Sequence, residues 1–217
     1  MTDLRLHDYA ASANCYKVRL LLAQLGLGYE RVPVDIFAGD TLGDDYAARN
    51  PARETPVLEI DGRFLPESGA ILAYLAEGTE LLPAEPWERA HVLRWLLFEQ
   101  TQVMGTIGGL RFRVLTGRLD PDTPAAERRR EASRSALEIL DRHLAERTFL
   151  AADRYTIADT AVFGYAHVAG DAGIDLGDYP AVQRWSGAVT STPGFMNDLA
   201  PYPANARPGA SRSTYDV

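Results

Sequence analysis

Apolar residues in the first 80 positions switch between a two-residue repeat and a helical one. Leu4 and Leu6 alternate with polar neighbours, predicting a strand over Leu4–His7. Val18, Leu21, Leu22 and Leu25 recur at helical spacing, predicting a helix over Asn14–Leu25 that stops at Gly26. Val32, Val34 and Ile36 alternate again, giving a strand over Tyr29–Ile36, and the polar stretch Phe37–Arg49 reads as a loop with a short helix near Tyr46. Pro56–Ile60 is rich in strand formers, Asp61-Gly62 is a hairpin turn, and Arg63–Leu65 returns as a short strand. Ser68–Glu77 then places Ile71, Leu72 and Leu75 on one helix face. The order β-α-β-α-β-β-α predicts a mixed sheet with helices on both faces.

Strand signals end at Leu82-Pro83-Ala84-Glu85-Pro86, where two prolines mark a linker. Beyond it the repeat is helical alone. Helices are expected over Trp87–Leu115, Pro124–Arg147, Thr156–Ala172 and Pro180–Thr190, the first weakened or kinked by Gly105, Gly108 and Gly109. The expected division is a domain over 1–82, a linker over 83–87, an all-helical domain over 88–200 and an extended, mobile tail over 201–217 with prolines at 201, 203 and 208.

Composition narrows the function classes. A net charge of −8 and a pI near 5.0 argue against general affinity for nucleic acid or an anionic membrane surface. No apolar run approaches a membrane span, and Met1–Arg5 does not begin a secretory signal. A single cysteine fits a reducing cytoplasm. His7, His91, His143 and His167 lie far apart, so no metal-ligand spacing exists. Arg128–Arg130 reads as a solvated helix face, and Gly105–Gly109 follows a helix rather than a strand, unlike a phosphate loop.

The densest chemistry lies in Ser12-Ala13-Asn14-Cys15-Tyr16-Lys17-Val18-Arg19. A hydroxyl, an amide and the only thiol gather at a predicted helix start, where unpaired N–H groups favour an anion or thiolate. The residues alone leave open whether they serve chemistry or cap the helix. Taken alone, Pro56 reads as an ordinary trans proline opening a strand. Ser68 is a natural N-cap whose hydroxyl equally suits a carboxylate, and Glu67 suits an ammonium group. Thr156-Ile157-Ala158-Asp159 is a capping box with Asp at its fourth place, structural in role.

In this order and spacing, Ser12 to Arg19, Asn50-Pro51, Thr55-Pro56-Val57-Leu58, Glu67-Ser68 with Ala70-Ile71 and Tyr74-Leu75, and Thr156 to Asp159 resemble the cytosolic glutathione transferase family, over roughly residues 3–200. Within it the chain looks like the bacterial, serine-type, theta/nu-like members. The resemblance implies a thioredoxin-like N-terminal domain before an all-helical one, and a homodimeric cytoplasmic glutathione S-transferase that uses glutathione as co-substrate and no metal. It makes Pro56 a cis proline. It places Thr55, Pro56 and Val57 among the glutathione-binding residues, with the Val57 backbone pairing the cysteinyl part, and gives Glu67 and Ser68 to the γ-glutamyl end. Ser12 would donate to the thiolate, with Asn14 as assistant or rival. A thiol of pKa near 8.5 is only a few per cent ionised at neutral pH, and a charge-assisted bond at a helix start suffices to shift it by about 2 units. Cys15 falls where glutaredoxins carry their resolving cysteine and reads as a packed helix residue.

A small hydrophobic electrophile is expected among Tyr9, Ala10, Val103, Met104 and Ile107, with the tail near Tyr202 covering it. Glu54 departs from the family pattern, which carries Lys or Gln there for the glycyl carboxylate; Arg53 is the substitute cation. Two other readings stay open: glutathione-dependent disulfide or peroxide reduction through Asn14, and a non-catalytic interaction module on the same fold.

Overall fold

In the computed structural model, which describes residues 4–216, the chain divides into two units. One runs to Leu75 and resumes at Met196; the other spans Ala76–Phe195.

The first unit carries a four-stranded sheet. Its strands are β1 (Leu4–Asp8), β2 (Glu30–Pro33), β3 (Val57–Ile60) and β4 (Arg63–Pro66), in the order β2-β1-β3-β4. β1 runs parallel to β2 and antiparallel to β3, with Arg5 opposite both Glu30 and Glu59. The hairpin joining β3 to β4 turns through Asp61 and Gly62, both at positive φ (49° and 76°), a primed turn that suits the sheet's twist. The sheet carries helices on both faces. Leu6 and Leu58 meet Val18 and Leu22 of α1 (Ala13–Gln24) and Ile71 of α3 (Ser68–Leu75), all fully buried. Val57 points to the other face, where it packs with Val34 and with Tyr46 of α2 (Asp44–Arg49). This is the mixed sheet with helices on both faces expected from the alternation of strand and helix signals, in the thioredoxin-like arrangement that the resemblance implies. The Thr55–Pro56 bond is cis.

The second unit is all helical. Helix α4 (Pro86–Phe98) continues through a ten-residue π-helical stretch, Glu99–Gly108, into α5 (Gly109–Leu115). The glycines therefore rewind the helix rather than break it. Gly108 shows why one is needed: a Cβ there would lie 2.6 Å from Cε1 of the Tyr165 ring. α6 spans Pro124–Leu144, shorter than the expected Pro124–Arg147. The helix expected over Thr156–Ala172 divides into α7 (Ile157–Ala166) and a 3₁₀ turn, Ala169–Ala172, which ends at Gly173 in the left-handed region. α8 spans Pro180–Thr190 as the sequence predicts. The capping box forms. Asp159 accepts from the backbone N–H of Thr156 (3.0 Å), the N–H of Leu150 and Trp185 Nε1 (2.9 Å each).

The chain's end lies on the first unit instead of trailing from the second. The Tyr16 hydroxyl donates to the Met196 carbonyl (2.9 Å), and Arg19 Nε bonds Asp198 (2.9 Å). Farther on, the Ala200 N–H donates to the Ala10 carbonyl (3.1 Å) and the Arg212 N–H to the Phe37 carbonyl (2.8 Å). Among the described residues no helix is long and apolar enough to cross a membrane.

Candidate functional site

Helix α1 starts one residue after Ser12, and that start organises the site. Ser12 is its N-cap: the side-chain oxygen accepts from the Cys15 N–H at 3.3 Å. As the acceptor in that bond, the hydroxyl can turn its hydrogen to the Cys15 sulfur or to another partner. Asn14, half-buried in the first turn, receives the Lys17 ammonium on Oδ1 at 2.8 Å. Lys17 has no exposed surface.

Cys15 faces inward. It is fully buried and takes the Tyr9 N–H on its sulfur at 3.4 Å. Burial, and after it the charge of Asp8, push its thiol up to about 12, against hydrogen bonds from Thr55, the Tyr9 backbone and Ser12. The contact with Thr55 brings the cis-proline turn beside the start of α1.

Val57 requires a correction. It lies in an interior strand, opposite His7 on one side and Pro66 on the other. Both of its ladder neighbours are protein, so a ligand added as a strand cannot take its edge. Thr55 is half-buried and lies outside the paired strand.

Arg53 also departs from its expected role. Its guanidinium donates to the carbonyls of Thr41 (3.1 Å), Leu42 and Gly43 (3.0 Å), and lies 3.5 Å from Asp44. It clamps the loop before α2 instead of standing as a free cation for a carboxylate. The Glu54 carbonyl is fixed by the Tyr46 hydroxyl (3.0 Å) and Asn50 Nδ2 (2.9 Å). The Glu54 carboxyl is raised by desolvation and then by the charge of Glu67, which puts two carboxylates near the same place. Glu67 sits at φ 73°, a left-handed conformation that costs a non-glycine residue about 1–3 kcal/mol. The turn it makes delivers Ser68, almost fully buried, to the first position of α3.

The expected electrophile residues divide between the units. Tyr9 is nearly buried, edge-on to Phe37 (5.8 Å between centroids) and tilted against Tyr202 (6.5 Å). Ala10 is half-exposed. In the second unit, Val103 and Ile107 have no exposed surface, because the π-helical stretch packs them toward α6 and α7; they are core positions rather than lining residues. Met104 keeps partial exposure. Among the described residues, no three His, Cys, Asp or Glu gather in a way that could hold a metal.

Sequence reasoning set aside two residues that the geometry brings in. Lys17 lies one turn from Asn14, the spacing at which helical side chains meet. Arg19 is fully buried and links Asp8 (2.5 Å) to Asp198 (2.9 Å). A buried arginine beside an acidic strand end was its only signal.

Residues 6–81 match the family model of the glutathione S-transferase N-terminal domain, and residues 100–193 that of the C-terminal domain. The chain is 38% identical to a glutathione S-transferase from Pseudomonas fluorescens Pf-5, whose crystal structure superposes with a TM-score of 0.87 over 91% of this chain and 99% of that one. A glutathione transferase from Pseudomonas putida, solved with one glutathione disulfide bound per subunit, is 30% identical; its TM-score is 0.78, over 91% and 90% of the two chains. A disulfide-bond oxidoreductase of Escherichia coli K12 is 31% identical over 85% of this chain and 89% of its own length.

Proposed function

The chain belongs to the glutathione S-transferase family, and on that premise we propose that it binds glutathione in its first unit and activates the thiol for attack on a small hydrophobic electrophile. The observation that carries this reading is the Ser12 cap. Its oxygen accepts the Cys15 N–H, and its hydrogen, which also reaches the Cys15 sulfur, can turn to a ligand sulfur placed at the start of α1. A thiolate there also meets the positive end of the helix. Thr55, beside the cis bond, offers main-chain groups to the cysteinyl part. Ser68 and the first turn of α3 suit the γ-glutamyl carboxylate, and the neighbouring carboxylates of Glu67 and Glu54 suit its ammonium group. The thiolate attacks the electrophilic carbon, the leaving group departs with its electron pair, and Ser12 keeps its proton throughout. Tyr9 and Ala10 remain as lining residues on the first unit, and the single buried thiol suits a reducing cytoplasm.

The test is glutathione titration followed by conjugation of an activated aryl halide. Wild type should bind at millimolar glutathione, and Ser12→Ala should lower kcat/KM by 10- to 100-fold, the scale of one lost charge-assisted hydrogen bond. No binding by wild type sinks the reading.

Disulfide reduction is the second reading, favoured by the oxidoreductase relative and by the fixed amide of Asn14. It holds if Asn14→Ala abolishes turnover of a glutathione mixed disulfide while Ser12→Ala leaves it intact.

We further propose a homodimer. Large apolar side chains stand exposed on each unit: Phe64 and Tyr74 on the first, Trp87 and Leu97 on the second, the last two above 70% or at it. Sedimentation should give twice the chain mass, and Leu97→Glu should shift it toward the monomer.

A further inference from the structure

Lys17, the chain's only lysine, does not reach solvent. An amine or ammonium nitrogen can only donate to an amide oxygen, so its 2.8 Å contact fixes which end of the Asn14 side chain is which. Oδ1 faces Lys17. The NH₂ group is the end left for a ligand.

We propose that Lys17 is a positioning residue: it locks the Asn14 amide with its NH₂ presented at the start of α1, so that Asn14 donates to the glutathione sulfur alongside Ser12. A freely turning amide would present oxygen to the thiolate part of the time, and that oxygen repels an anion. Fixing the amide removes the repelling orientation. It also removes the entropy cost of ordering the side chain when the thiolate forms. Lys17 works through Asn14 and does not itself touch the sulfur. Its place in the second turn of α1, beneath the Asn14 side chain and sealed from solvent, fits that role and not that of a ligand-binding cation.

The proposal rests on glutathione binding at Ser12, and the experiment separates the two. The amide orientation is read without ligand. In the ¹⁵N spectrum of the free protein, the Asn14 side-chain NH₂ should be a single ordered pair in wild type and should move toward solvent-averaged values in Lys17→Met, an apolar replacement of similar shape. The effect on chemistry is read by titrating the ultraviolet absorbance of the bound glutathione thiolate. Lys17→Met should raise its apparent pKa by about one unit, a tenfold loss of thiolate. Asn14→Ala should do the same, and the double variant should shift no further than Asn14→Ala alone, since contacting residues acting through one bond are not additive. Lys17→Arg, which keeps a donor, should restore part of the shift.

An Asn14 amide unmoved by Lys17→Met overturns the proposal, as do shifts that add in the double variant, which would make Lys17 an independent charge. Failure of wild type to lower the thiol pKa overturns the glutathione reading instead, and the ligand-free spectrum still decides whether Lys17 holds Asn14.

Discussion

Three neighbouring side chains, Ser12, Asn14 and Cys15, start the same helix turn and end in different chemical states because each points to a different environment. Cys15 turns inward, and burial holds its thiol protonated, pushed up to about 12. It should resist a thiol-labelling reagent at pH 8 in the native protein and react once in denaturant, as the thiolate is the nucleophile. Labelling at similar rates in both states would contradict its burial. Ser12 and Asn14 stay half-buried, the Ser12 hydroxyl near the Cys15 sulfur and the Asn14 oxygen held by Lys17. The sequence makes this neighbourhood legible because residue types and spacing alone define a helix start rich in polar groups. It does not show who bonds whom. The choices for Val57 and Arg53 depended on partners distant in sequence: Val57 on strands 50 residues before and 9 after it, His7 and Pro66, and Arg53 on a carbonyl cluster at 41–43. No local pattern encodes either.

Helix ends were legible where a residue's own backbone chemistry sets them. Pro180 fixes the first turn of α8, and Thr156 with Asp159 fixes that of α7. The C-terminal half of the Thr156–Ala172 prediction failed because apolar spacing does not distinguish an α-helix from a 3₁₀ turn that continues the same buried face. The π-helical stretch was likewise invisible: glycines signal weakness, and only the Tyr165 ring against Gly108 explains where it is needed. Asp159 gives this scale its prediction. Burial outweighs its hydrogen-bond donors and raises its carboxyl to about 6, from an ordinary 3.8. The native state therefore holds a proton that the unfolded chain has lost between those values. Its contribution to stability falls as pH rises from about 4 to about 6. In Asp159→Asn that slope should flatten, because the amide does not titrate. At pH 7 the variant should still be less stable by about 1–3 kcal/mol, since its NH₂ would face the Thr156 N–H, donor against donor. Denaturant midpoints at pH 4.5 and 7 for both proteins decide it; an unchanged slope would rule out Asp159 as the titrating group.

On the scale of the whole chain, the first unit is discontinuous. Its sheet is complete by residue 66, but Tyr16, Arg19, Ala10 and Phe37 also take partners among residues 196–212. Beyond the expectation that the tail near Tyr202 covers the site, the polar, proline-bearing tail does not announce this, because its contacts are single hydrogen bonds and aromatic edges rather than a periodic face. They are also incomplete. Among the described residues the Tyr9 hydroxyl and Asn205 Oδ1 are buried without a hydrogen-bond partner, while Asn205 Nδ2 bonds Asp35 at 2.9 Å. Burial also pushes the Tyr9 phenol up, so it stays a neutral hydroxyl with an idle proton. Main-chain bonds from Ala200 and Arg212, the Asn205 side chain on Asp35 and the rings of Tyr202 and Tyr215 on Phe37 hold the tail beyond Asp198 to this unit's loops, with no strand pairing among the described residues. Segments held this lightly open well below the global unfolding free energy. The Ala200 and Arg212 amides should therefore exchange with solvent together, at a rate insensitive to low denaturant, while core amides such as Leu58 wait for global unfolding. Tyr9→Phe should slow both, not hasten them. It keeps the ring packing against Phe37 and Tyr202 and removes a hydroxyl whose burial unpaired costs about 1–3 kcal/mol, so the closed tail gains roughly tenfold in protection. Faster exchange in Tyr9→Phe would mean that the hydroxyl has a partner, a bound water for instance, and that the docked tail is better satisfied than its hydrogen bonds indicate.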